Sequence, residues 1–203
     1  MSTNPPSDLT VTYYDAHAAR YAEETLGLDM HGLYEPFLTL VTPGGHILDA
    51  GCGSGRDSRA FLQRSYTVTA FDASVEMARL AGRSTGLPAR VLRFQEVDYE
   101  DQFDGIWACA SLLHVPRHEI GEVFTRLTRA LRLGGVWYMS FKAGEAEGIR
   151  DGRFFNDYTE ASLLESLGRE PARAILHTWQ TQDIRPEQRG TTWISALVRK
   201  ATA

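Results

Sequence analysis

Cysteine is scarce: Cys52 and Cys109 are the only two in 203 residues. A disulfide scaffold is therefore excluded, and two reduced thiols in a cytoplasmic protein are expected. No cluster of histidines and cysteines has metal-ligand spacing, so no metal is expected. No apolar run approaches the ~20 residues of a membrane helix, so no membrane partner is expected either. The first residues have neither a basic start nor an apolar core, unlike a secretory signal. Basic residues are in deficit, with 21 Lys and Arg against 26 Asp and Glu and a net charge of −5. Such a balance gives no general attraction to phosphate backbones, which argues against a nucleic-acid partner. Internal repeats and low-complexity tracts are missing too. What remains is the composition of an ordinary globular chain, 43% hydrophobic and 23% charged. A chain of this length buries about 70% of its unfolded surface and needs no staples. We expect a disordered tail over residues 1–12, polar and proline-containing at its start, and a single domain over 13–203.

The chain is organised around the stretch from Ile47 to Phe61. A short apolar run enters it, Gly51, Gly53 and Gly55 alternate through it, and a helical pattern leaves it. That order reads as strand, tight turn and helix N-terminus. Glycines permit backbone angles closed to other residues and let a ligand touch the main chain. Free N–H groups of the following helix favour anionic or electron-rich ligand atoms. Asp49 at the strand's end adds an acceptor suited to hydroxyls or an ammonium group. Tyr66–Asp72 reads as a second strand ending in an acid, roughly 20 residues after the glycines, the spacing at which a carboxylate reaches a ribose diol. The dinucleotide fingerprint needs a glycine three residues after Gly53. Arg56 stands there instead.

Elsewhere the patterns predict helices and strands in alternation. Alanines and charges over Tyr13–Thr25 suggest a helix, and Leu33, Tyr34, Phe37, Leu40 and Val41 follow helical spacing up to Thr42-Pro43-Gly44-Gly45. A helix runs from Arg56 to about Arg64. Ser74 is a natural cap for a helix through Leu80 and Ala81. Further strands are expected over Arg90–Phe94, from Asp104 into an apolar run, and over Val136–Phe141. Ile120, Val123, Phe124, Leu127 and Leu131 recur as one buried helical face, which leaves Arg126, Arg129 and Arg132 on its solvated side or last turn. From Ala143 to Phe155 runs a loop rich in glycine and charge, long enough to suggest a working loop. Lys142, Arg150 and Arg153 could face a small anionic or oxygen-rich substrate there, with Phe154 and Phe155 as walls. A helix over Thr159–Leu167 and strands near Ala174–Thr181 and Thr192–Arg199 close the chain. His114 lies beyond the fourth strand, where open α/β sheets place their ligands. Its ordinary pKa of about 6.5 makes it the candidate catalytic base; the alternative is a histidine that packs beneath a ligand.

The stretch Ile47–Asp72 resembles motifs I and II of the class I S-adenosylmethionine-dependent methyltransferases, and the resemblance extends from about Tyr13 to Lys200. It implies an α/β, Rossmann-like, seven-stranded and mostly parallel sheet with an antiparallel last strand and helices on both faces. It implies S-adenosylmethionine as cofactor, S-adenosylhomocysteine as product, and in-line methyl transfer. In such a chain Asp49, Gly51, Cys52, Gly53, Gly55 and Arg56 would hold the methionine part. Asp72, with Ala73 and Met77, would hold the ribose side. Phe94 and Gln95 stand where the family's third motif meets the adenine, although the usual Gly-Asp pair is missing. Ala110 and Ser111 end the fourth strand beside the cofactor. The N-terminal helix would form a lid from which Tyr21, Tyr13 or Arg20 approaches the methionine carboxylate. Leu133-Gly134-Gly135 before the fifth strand is another similar feature. Gly51–Ser58 is most similar to the small-molecule branch (methyltransferase types 11 and 12) that includes tellurite-resistance and thiopurine-type enzymes, whose acceptors are soft or anionic. The expected partner is therefore a small methyl acceptor reacting through oxygen, sulfur or a soft oxyanion, taken by a monomer or homodimer, with His114, Lys142, Arg150 and Arg153 on the acceptor side. Besides an RNA methyltransferase, which the acidic charge opposes, two rivals stay open. One is a nicotinamide-dependent reductase, for which Tyr138 and Lys142 formally match a tyrosine–lysine pair. The other is a catalytically silent binding protein on the same fold.

Overall fold

The structure, a computed structural model, describes residues 6–169, 172–185, 188 and 190–202. Its centre is a seven-stranded sheet with strand order β3-β2-β1-β4-β5-β9-β8. The first four strands are β1 (His46–Ala50), β2 (Thr67–Asp72), β3 (Arg90–Val91) and β4 (Phe103–Ala108). They and β5 (Leu131–Lys142) pair in parallel. In the second half, β6 (Glu147–Arg150) and β7 (Arg153–Asn156) form a separate hairpin, followed by β8 (Arg173–Gln182) and β9 (Thr192–Lys200). β9 runs antiparallel between β5 and β8. The expected sheet is thus present.

Alternation along the strands divides the core into two layers, because successive side chains point to opposite faces. On one face Leu48, Ile106, Trp137 and Phe141 pack against α5 (Ile120–Ala130) and α6 (Glu160–Gly168). The buried stripe of α5 carries Ile120, Val123, Phe124 and Leu127 as predicted, but the helix ends at Ala130. Leu131, expected on that stripe, Arg132, expected on its solvated side or last turn, and Leu133-Gly134-Gly135, expected before the fifth strand, all belong to β5. On the other face Ile47, Trp107, Val136 and Tyr138 meet Tyr34 and Phe37 of α2 (His31–Leu38) and Phe61 of α3 (Arg56–Leu62). α4 (Val75–Thr85) begins where Ser74 Oγ accepts from Met77 N at 3.1 Å, as the cap reading predicted.

Three further expectations need correction. The tail was expected to reach residue 12, yet α1 (Pro6–Thr25) already begins at Pro6; residues 1–5 lie outside the described residues. Its inward face carries Thr10, Tyr14 and Tyr21 against a cavity, so it has no apolar stripe to read. Strand β3 stops after Val91, because β2 ends at Asp72 and offers Leu92 only one more carbonyl, the 3.0 Å bond from Leu92 N to Asp72 O. The loop expected over Ala143–Phe155 is largely the β6–β7 hairpin. Asp151 and Gly152 at its tip have φ of 48° and 76°, both positive, as a two-residue type I′ turn requires.

Candidate active site

The strand order reverses between β1 and β4, and at such a switch point the carboxyl ends of the strands leave a crevice. Here a cavity of about 130 Å³ opens, walled by the turn after β1, the end of β2, the segment after β3, the end of β4 and the inner face of α1. Gly51 has φ 74°, and a Cβ on it would lie 2.5 Å from Ser111 Cβ. Gly53 has φ 54° and faces a hollow, for a Cβ there would find its nearest atom, Tyr21 Cε1, only at 4.0 Å. Asp72 braces this turn: its Oδ2 accepts from Gly53 N and its Oδ1 from Ser74 N, each at 2.9 Å. Burial nevertheless pushes its carboxyl above the ordinary range. Each of its oxygens retains a lone pair for a further donor.

A second cavity, about 350 Å³, lies beyond the first and is lined by residues of β5, β7, β8, β9 and the loop before α2. The two share Tyr14, Tyr21, Thr25, Arg56, Cys109, Ala110 and His114, which form the doorway between them. Arg56 is held there by Asp57, which it meets at 2.6 and 2.9 Å. The same buried carboxylate accepts from Tyr34 Oη at 2.6 Å and from Trp107 Nε1 at 2.8 Å. Burial alone would raise Asp57, but Arg56 and these donors hold it below the usual carboxylate range.

His114 is fixed from both sides. Phe154 O lies 2.6 Å from Nδ1 and can only accept, so Nδ1 carries the proton and donates. Nε2 is then left to accept from Tyr14 Oη at 3.0 Å. Burial, opposed by the bond to Phe154 and assisted by Arg153 and Lys142, lowers its pKa to about 4. The unfolded chain titrates this histidine near 6.5 and so binds more protons than the folded one between about pH 6.5 and 4. Stability contributed by the neutral ring is present above that window and lost as pH falls through it. Raised carboxyls such as Asp49 and Asp72 act in the opposite sense there. The difference between wild type and His114→Gln isolates the ring. Chemical denaturation across the window should show acid destabilisation smaller in the variant, by roughly 3 kcal/mol; superimposable pH profiles would refute the buried neutral state.

Of the residues expected to hold a cofactor, Tyr21, Gly51, Cys52, Gly53, Arg56, Asp72, Ala73, Met77, Phe94, Gln95, Ala110 and Ser111 all line the first cavity. Asp49 and Gly55 do not. Asp49 is buried beneath the turn, accepting from Ser58 Oγ at 2.6 Å. Gly55 serves helix packing, since a Cβ there would come within 2.9 Å of Ala81 Cα in α4. Arg20 points away from both cavities to Glu24, and Tyr13 stacks on His17. Lys142 and Arg153 line the second cavity, whereas Arg150 is drawn out of it by both oxygens of Asp157, each at 2.6 Å. Phe155 is a wall; Phe154 contributes its carbonyl. The tyrosine–lysine pair of the reductase reading lies on β5, with Tyr138 fully buried and its hydroxyl 3.0 Å from Ser195 Oγ. Burial raises both thiols, that of Cys109 to about 12, so neither is poised as a nucleophile. Sequence reading missed Tyr14, Asp57 and Ser74.

Residues 47–135 match the family model described as a methyltransferase domain. The methyltransferase GfsG of Streptomyces halstedii is 38% identical over 106 residues, 47% of this chain and 37% of that protein. 24-Methylenesterol C-methyltransferase 3 of Arabidopsis thaliana is 31% identical over 151 residues, 70% of this chain and 40% of its own length. The chain thus spans about two fifths or less of these two relatives. Among solved structures, the Burkholderia thailandensis 1,6-didemethyltoxoflavin-N1-methyltransferase, with its substrate and S-adenosylhomocysteine bound, superposes with a TM-score of 0.79. That match covers 100% of this chain and 93% of the other at 23% identity, which speaks to fold. Residues 47–135 thus carry the likeness to a methyltransferase domain, and the fold shared with the Burkholderia enzyme extends over the whole chain.

Proposed function

We propose that the protein transfers the methyl group of S-adenosylmethionine to a small-molecule acceptor by in-line displacement. The observation that carries this reading is the pair of cavities meeting at one doorway, the smaller beside the glycine turn and the larger beyond it. The smaller cavity suits the cofactor on its own terms. The hollow at Gly53 admits a ligand against bare backbone, and Asp72 offers acceptor lone pairs to a diol. Phe71, Met77 and Phe94 supply apolar contact for a flat base. Once bound, the cofactor supplies a methyl group on a cationic sulfur, already activated towards a nucleophile.

The protein's own contribution is alignment, which lowers such a barrier by roughly 7–11 kcal/mol. Tyr14, Tyr21 and Ala110 narrow the doorway and limit the angle of approach. α1 closes the cofactor side through Asp15, whose Oδ1 accepts from Ser74 Oγ at 2.6 Å, and through Thr10, whose Oγ1 accepts from Phe154 N at 2.9 Å. This roof excludes water from the reacting centre. His114 stays neutral and already accepts from Tyr14, so it is a weak base. The arrangement therefore favours acceptors that arrive ionised, and His114 serves to orient Tyr14.

Thermal unfolding with added ligand tests the reading. Saturation at 100 times Kd stabilises by about 2.7 kcal/mol, or roughly 5–10 °C for a domain of this size. We expect such shifts with S-adenosylmethionine and S-adenosylhomocysteine and none with NADH. A shift with NADH alone would transfer the argument to a reductase.

A further inference from the structure

The larger cavity carries an unbalanced charge. Among the described residues four cations line it, Arg56, Lys142, Arg153 and Arg185. Two are neutralised by their own carboxylates: Arg56 by Asp57, and Arg185 by Asp183 at 2.6 Å. Asp29 lies at the exposed rim and caps His31 N. Lys142 and Arg153 have no carboxylate within ion-pair distance among the described residues. Both stand over Phe155, with Lys142 Nζ at 4.5 Å and the Arg153 guanidinium carbon at 5.1 Å from its centroid, and the Arg153 guanidinium also lies over Tyr13 at 4.7 Å. One nearby carboxylate is suited to neutralise them, the buried Asp157, but Arg150 takes both of its oxygens. Arg150 also sits over Phe155, at 4.7 Å, so three cations converge on that ring with one anion among them.

Uncompensated charge in a half-buried site costs free energy unless a ligand supplies the counter-charge. Among aliphatic and polar side chains, the remaining walls carry the rings of Tyr138, Phe155, Trp179 and Trp193, the last two from the two closing strands. Such walls bind flat rings at low entropic cost. Lys142 and Arg153 line the larger cavity and not the smaller, so they lie on the far side of the doorway from the cofactor cavity. An anion held there anchors the acceptor at a point remote from the atom that is methylated.

Building on the methyltransferase reading, we propose that the acceptor is a flat aromatic carboxylic acid, its carboxylate held by Lys142 and Arg153, which the Arg150–Asp157 pair leaves free to receive it. Arg150 is then a positioning residue: it touches no ligand but occupies the carboxylate that would otherwise compete.

Calorimetry on protein saturated with S-adenosylhomocysteine tests this. The probes are indole-3-acetate and 4-hydroxybenzoate, each against its primary amide, with phenyl phosphate as a second anion. At least one acid should bind about tenfold more tightly than its amide, a difference of 1.4 kcal/mol, and more tightly than phenyl phosphate. Lys142→Gln should remove that preference. Arg150→Gln should reduce it severalfold by releasing Asp157, a change that a purely structural role would not produce. Affinity for S-adenosylhomocysteine should stay at the wild-type value in both variants and reports that they fold. The proposal fails if no acid outbinds its amide at millimolar concentration, if phenyl phosphate binds best, or if the preference survives Lys142→Gln. Failure of S-adenosylhomocysteine to bind the wild-type protein would instead bring down the underlying methyltransferase reading.

Discussion

Gly53→Leu should abolish binding of S-adenosylhomocysteine while leaving the fold intact. A Cβ at Gly53 meets nothing closer than Tyr21 Cε1 at 4.0 Å, so the new side chain finds room only in the hollow of the smaller cavity. The backbone there has φ 54°, and a non-glycine residue in that region costs about 1–2 kcal/mol. For a domain of this size that lowers Tm by roughly 2–8 °C. Filling the hollow should weaken binding by more than about 100-fold, or 3 kcal/mol, as measured by calorimetric titration. Gly51→Ala provides the contrast. Its Cβ would stand 2.5 Å from that of Ser111 and 3.5 Å from Phe94 Cζ, so it should lose stability before it loses ligand. Near-wild-type affinity in Gly53→Leu would mean that the hollow is not where the ligand sits.

Asp57→Ala should be the most destabilising single change in the site. One buried carboxylate serves three donors on three elements: Arg56 beside it on α3, Tyr34 on α2 and Trp107 on β4. Removing it leaves a guanidinium without its counter-ion, and breaking such a pair costs about 3–5 kcal/mol. The phenol and indole lose their partners as well, each at about 1–3 kcal/mol if water cannot replace it. The Tm should fall by at least roughly 6–20 °C. Asp57→Asn keeps an acceptor for Trp107 and should fall less. If alanine and asparagine are equally mild, the network contributes little.

The fold was legible because its signals are local. Alternating glycines, an acid ending the next strand and a clear apolar stripe on α5 each report a neighbour only a few residues away. Gly51, Gly53 and Asp72 could be named for the same reason. Asp49 and Gly55 share that motif yet stand behind the wall, because the sequence shows which residues surround a turn but not which side of it faces the cavity. Tyr14 was invisible, since its meaning depends on His114, a hundred positions away. Asp57 was hidden likewise, its partners Tyr34 and Trp107 lying 23 and 50 positions distant. The hairpin at Asp151-Gly152 did carry a readable signal, the Asp-Gly pair of a type I′ turn. Glycine and charge around it made the segment resemble a plain loop. Arg150 could not be sorted from Lys142 and Arg153 for a similar reason: only the folded hairpin brings Asp157 onto it.

The account rests on the hollow between the glycine turn and Asp72 as the seat of the adenosyl group. A crystal structure of the protein grown with S-adenosylhomocysteine tests it most directly. The account predicts density over Gly51 and Gly53 with the ribose hydroxyls on the Asp72 carboxylate. Ordered ligand lodged elsewhere in the molecule, with that hollow holding only solvent, would contradict it.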